Sequence, residues 1–155
     1  MAGNLIRLPL QQILLHNELV YEIGLTLEVQ TSRGVFLPCS FLFDAGTHFT
    51  TIPIADAKRM GIAFSTARPA FPRGATGKSQ VPGYLSPIRF SFPALPQWQF
   101  PSTCFFTPHS LSRSLLSLTD IVSNFLIRSG RATIAHPHGS LILRLRHDHK
   151  GQPRP

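Results

Sequence analysis

Asp44 is the residue of this chain best placed to do chemistry. It ends an apolar run, Phe41-Leu42-Phe43, and is followed by the small pair Ala45-Gly46, then Thr47, Thr50 and Thr51, then apolar Ile52. Apolar neighbours on the strand side would desolvate the carboxylate. Gly46 would permit a tight turn and the close approach of another group. Such an acid serves either as a turn former that accepts backbone amides or as an acid–base group.

Other chemistry-bearing patterns are weaker. Residues 72–79, PRGATGKS, come close to a phosphate-binding loop. Pro72 stands where that motif needs glycine, and Pro82-Gly83 forbid the helix that must follow Lys78. His136/His138 and His147/His149 each put two imidazoles on one side of an extended chain. Neither pair has the companion cysteines or acids of a zinc set, so no metal and no organic cofactor are expected. Cys39 and Cys104 form no disulfide framework and read as reduced, buried thiols.

The elements that must position Asp44 are strands. With 155 residues the chain suits one domain. Hydrophobic residues at 43% against 14% charged favour folding over disorder. Fourteen prolines and eleven glycines disfavour long helices, and twelve phenylalanines favour sheet. Residues 1–18 form a leader, a wrapping strand or a short helix after Pro9. Residues 19–30 alternate, with Ile23, Leu25, Leu27 and Val29 on one face, and predict one half-buried strand. Thr31-Ser32-Arg33-Gly34 makes the hairpin turn, and residues 35–43 return to deliver Asp44. Residues 54–60 fit two helical turns stopped by Gly61. Residues 74–84 are flexible and polar, residues 84–92 a strand, residues 93–101 a loop and residues 103–107 a short buried strand. Leu115-Leu116-Ser117-Leu118 leads into a short helix that Thr119 or Asp120 would cap. Residues 128–133 and 140–146 read as strands, the latter an edge or intersubunit strand. Residues 147–155 are a polar tail.

Net charge is +8. Much of it lies late in the chain, where Arg128, Arg131, Arg144, Arg146, Lys150 and Arg154 face a lone Asp148. No aromatic residue interleaves them, so a solvated tail is expected rather than a nucleic-acid groove. No secretory segment and no membrane-spanning apolar run is visible, which favours the cytoplasm.

The Asp44 segment resembles the catalytic segment of retropepsin-like aspartic proteases: an apolar run, Asp-Thr/Ser-Gly, then a polar stretch ending in a hydroxyl and an apolar residue. Asp44, Gly46, Thr47, Thr50 and Ile52 match. The resemblance extends, more weakly, over residues 19–127 through the region after Asp44, the Gly-rich stretch, and the Leu115–Phe125 stretch. It implies an all-β, single-lobe closed β-barrel of the retropepsin-like acid-protease fold, over residues 19–146, with a flap hairpin and one short C-terminal helix. It implies an aspartic endopeptidase with Asp44 as catalytic residue, Ala45, Gly46 and Thr47 as catalytic loop, and Gly74, Ala75, Thr76 and Gly77 as a substrate-binding flap. Two carboxylates must share a proton, and the chain has one such segment, so a homodimer acting on a peptide or protein is implied. Two positions depart from the family. Ala45 lacks the hydroxyl that bonds across the dimer axis, and Ser117 replaces a glycine. The alternative is a module of the same fold that binds peptides or dimerises without turnover.

Overall fold

The computed structural model describes residues 5–72, 80–146 and 152–153. Strand β1 (Leu5–Pro9) opens the described chain, followed by the hairpin β2 (Gln11–Leu15) and β3 (Glu18–Glu22). Then come β4 (Gly24–Gln30), β5 (Phe36–Asp44), β6 (Thr51–Pro53), helix α1 (Ile54–Met60), β7 (Pro69–Ala70), β8 (Gly83–Ser91) and β9 (Trp98–Thr107). β10 (Ser114–Ser117), helix α2 (Leu118–Asn124), β11 (Phe125–Gly130), β12 (Ser140–Leu145) and β13 (Gln152–Pro153) complete the order.

Six strands close on themselves. β9 pairs with β6, β6 with β10, β10 with β5, β5 with β4, β4 with β8, and β8 returns to β9. Closure removes the sheet edges that would otherwise be exposed in this ring. The barrel is filled from strand positions of period two. Leu27, Val29, Phe41, Ile52 and Leu116 are all fully buried. Phe92 packs edge-on against Phe100 and Phe125, at centroid distances of 6.1 and 5.2 Å. Such ring pairs add about 0.5–1.5 kcal/mol each beyond the area they bury. Cys39 and Cys104 are free and buried, and burial pushes both thiols up, which leaves them unreactive.

Residues 19–30 are not one strand. The chain breaks at Ile23, so that β3 pairs with β2 while β4 joins the barrel. The tight β2–β3 turn carries His16 and Asn17 at φ of 49° and 66°. That pair of left-handed residues is what a two-residue hairpin turn needs, and it makes the leader strand rather than helix. Along β4 the alternation holds: Leu27 and Val29 point inward. The predicted turn over residues 31–34 forms, with Gly34 at φ 78° and its amide 2.9 Å from the Thr31 carbonyl.

Helix α1 ends as expected on Gly61, whose φ of 71° closes the last turn. Strand β9 begins at Trp98 and runs through Pro101, so the connection predicted over residues 93–101 is shorter than expected. Strand β12 is not an edge. It lies between β1 and β11 in a three-stranded antiparallel sheet, so both its edges are taken within the chain.

β7 and β8 form the base of a hairpin: Ala70 faces Gly83, and the Val81 amide donates to the Pro72 carbonyl at 3.0 Å. The predicted flap residues Gly74, Ala75, Thr76 and Gly77 lie outside the described residues. Gly83 is set by close approach. A Cβ there would sit against the Phe106 carbonyl oxygen and 2.5 Å from the Phe105 ring. Gly83→Ala is therefore expected to cost about 1–3 kcal/mol by overpacking. Denaturant melts of both proteins check it, and an unchanged midpoint would contradict this close packing.

Candidate active site

Asp44 is the last residue of β5. Pairing of β5 with β4 stops at Leu42, opposite Gly24, and the parallel neighbour β10 sets Ser117 beside Asp44. The carboxylate therefore leaves the barrel wall at the point where sheet pairing on one side has ended. It is half-buried, while Ala45 and Gly46 are exposed. Its Oδ1 accepts the Gly46 amide at 2.8 Å, and its carbonyl accepts the Thr47 amide at 3.3 Å. This is the turn that Asp-x-Gly favours. A Cβ on residue 46 would lie 3.2 Å from Asp44 Oδ1, so a larger residue there would shift the carboxylate by a few tenths of an ångström over the turn. The loop continues with Thr47 and Thr51, whose hydroxyls donate to the Phe49 carbonyl from its two sides at 3.1 and 3.0 Å.

The other acids for which partners are defined are committed elsewhere. Glu22 is 2.5 Å from Arg113, and Asp56 is 2.7 Å from Arg59. Among the described residues no cluster of three or more His, Cys, Asp or Glu could hold a metal ion. His147 and His149 lie outside them.

Asp120 is the group that sequence reasoning missed. It is buried, and its Oδ2 accepts three hydroxyls: Thr50, Ser102 at 2.7 Å and Ser117 at 3.2 Å. Burial pushes its carboxyl above the usual carboxylate range, and the three hydroxyls pull it partly back. Ser117, rather than Thr119 or Asp120, caps α2, accepting the Asp120 amide at 3.2 Å. Its own amide donates to Thr50 Oγ1 at 3.1 Å. The added hydroxyl at position 117 is thus bonded on all sides. The signal was in the sequence: Ser117-Leu118-Thr119-Asp120 has the Ser-x-x-acid spacing of a helix start.

Beside the loop lies a hollow of about 360 Å³, walled by Phe49, Pro72, Val81, Phe105, Leu111 and Leu115, with Thr47 and His48 also lining it. Pro72 and Val81 are where the hairpin base meets it. The lining suits an apolar group.

No protein-family model matches the sequence, and no curated protein is similar to it in sequence. Among solved structures, the chain is similar to a retropepsin-like aspartic protease from Rickettsia conorii, with a TM-score of 0.57 over 91% of each chain and 13% sequence identity. The fold is that of a single-lobe retropepsin-like protease. The closed six-stranded barrel, the short α2 after β10 and the hairpin base ahead of β8 are its parts here. No helix among the described residues is long and apolar enough to cross a membrane.

Proposed function

We propose that the chain is an aspartic endopeptidase whose site is completed by a second copy, each copy supplying one Asp44. The observation that carries this is the placement of Asp44: at the end of a barrel strand, half out of the wall, on a turn closed by its own carboxylate. The likeness of the fold to a protease and the apolar hollow beside the loop support it.

Peptide hydrolysis of this kind needs two carboxylates close enough to share a proton. The ionised one takes a proton from water as it attacks, and the protonated one gives its proton to the carbonyl oxygen. A two-fold axis near Asp44 brings the residue to its own image. Substrate lies as an extended strand over the Ala45-Gly46-Thr47 loop, with an apolar side chain in the hollow.

The test is cleavage of a mixed peptide library from acid to neutral pH. Cuts placed beside apolar residues are expected, and no cuts from a folded dimer would overturn the proposal. That second outcome is the peptide-binding module without turnover, a reading favoured by Ala45. Position 45 is exposed and has no hydroxyl to give a partner chain. Ala45→Thr is expected to tighten dimerisation by roughly fivefold for each interchain bond it adds, since such a bond is worth about 1 kcal/mol. Sedimentation over a dilution series measures this, and an unchanged dissociation constant would remove position 45 from the interface.

A further inference from the structure

The loop that starts at Asp44 ends at Thr50, and Thr50 is held more firmly than a loop residue needs to be. It is fully buried. Its hydroxyl donates to Asp120 Oδ2 and accepts the Ser117 amide, and its carbonyl accepts the Phe105 amide at 2.8 Å. Ser117 is also the strand neighbour of Asp44. The two ends of the loop thus meet at Ser117, just ahead of α2, and the Thr50 end is tied to Asp120 as well. Ser102 donates to the same Asp120 oxygen from β9, outside the loop.

We infer that Asp120 and Thr50 are positioning residues for Asp44, joined by the Thr50 hydroxyl to the Asp120 carboxyl and by Ser117 back to β5. The inference rests on the proposed role of Asp44. A buried acid is a costly way to hold a barrel together, because its desolvation offsets much of what its bonds contribute. What it supplies is one acceptor for both the Thr50 hydroxyl at the end of the loop and the Ser117 hydroxyl beside Asp44, which selects one arrangement of the loop, while Ser102 shares that oxygen from outside it. Two Asp44 carboxylates that share a proton need that fixed arrangement, since a displacement of about 1 Å at a reacting group costs on the order of a hundredfold.

The experiment compares Thr50→Val, Thr50→Ser and Ser102→Ala in the full chain. Val and Ala each remove one hydroxyl from Asp120, but Val also unpins the loop. The readouts are kcat and KM on a cleaved peptide, and hydrogen exchange of the Gly46 and Thr47 amides. Thr50→Val is expected to lower kcat by roughly tenfold to a hundredfold with little change in KM, and to speed exchange at both amides. Thr50→Ser is expected to restore both. Ser102→Ala is expected to stay within about twofold of the parent kcat, with parental exchange. Equal loss of kcat in Thr50→Val and Ser102→Ala, or parental exchange in Thr50→Val, would overturn the inference. Should Thr50→Val not fold, Thr50→Ala is read by the same criteria. If the parent cuts no peptide, the exchange comparison alone decides on the positioning role, and only the proteolytic reading falls.

Discussion

Asp44→Asn is expected to abolish peptide cleavage, by about 10⁴-fold or more, with little effect on folding. The amide is nearly the same size as the carboxylate. Its oxygen still accepts the Gly46 amide, which is the one side-chain bond that holds the turn at 2.8 Å. In a two-chain site the substitution removes both carboxylates at once, so neither the base that takes water's proton nor the acid that gives one remains. Cleavage rates of parent and variant on one peptide, with melting curves on the same samples, separate chemistry from stability. Residual cleavage within about tenfold of the parent would mean that Asp44 is a turn former and that another group does the work.

Asp120→Ala is expected to cost about 2–4 kcal/mol, because the hydroxyls of Thr50, Ser102 and Ser117 lose their common acceptor inside the barrel wall. Asp120→Asn keeps an acceptor and isolates the charge. Burial raises the folded-state pKa of Asp120 above its unfolded value. The folded chain therefore holds the proton more tightly, and the slope of stability with pH is negative in this window. Asp120's contribution is fully present below about pH 4, the ordinary carboxylate range, and is lost as pH rises through the raised folded pKa. Asn has no such slope. The stability of Asp120→Asn relative to the parent is expected to increase with pH. Cys104 lies near Asp120, but burial pushes its thiol well up, so it stays protonated in both proteins across the acid-to-neutral range. Denaturant midpoints across the acid-to-neutral range measure it, and parallel curves for the two proteins would contradict a raised carboxyl.

The parts of this molecule written in local chemistry were legible before the structure. The alternation of Leu27 and Val29, the Thr31–Gly34 turn, the Gly61 stop and the strand that ends on Asp44 all follow from period, φ preference and turn composition. What escaped depended on partners far along the chain. Ile23 looked like the middle of a strand, because nothing near it reveals that Glu18–Glu22 turns away to pair with Gln11–Leu15. Ser140–Leu145 looked like an edge, because its position between Leu5–Pro9 and Phe125–Gly130 joins the two ends of the chain. Asp120 had the spacing of a helix start, but its neighbours Thr50 and Ser102 are 70 and 18 residues away. Ser117 stands where the resembled family has glycine. In the structure it caps a helix and links Thr50 to Asp120 beside Asp44.

The claim at the centre is that one site takes one Asp44 from each of two chains, and subunit mixing tests it most directly. Parent and Asp44→Asn chains are mixed at fixed total concentration, above the dissociation constant, and allowed to exchange before cleavage is measured. If both carboxylates are needed, mixed dimers are inactive and activity falls as the square of the parent fraction. Activity that falls in simple proportion to the parent fraction would mean that each chain works alone, and would contradict the shared site.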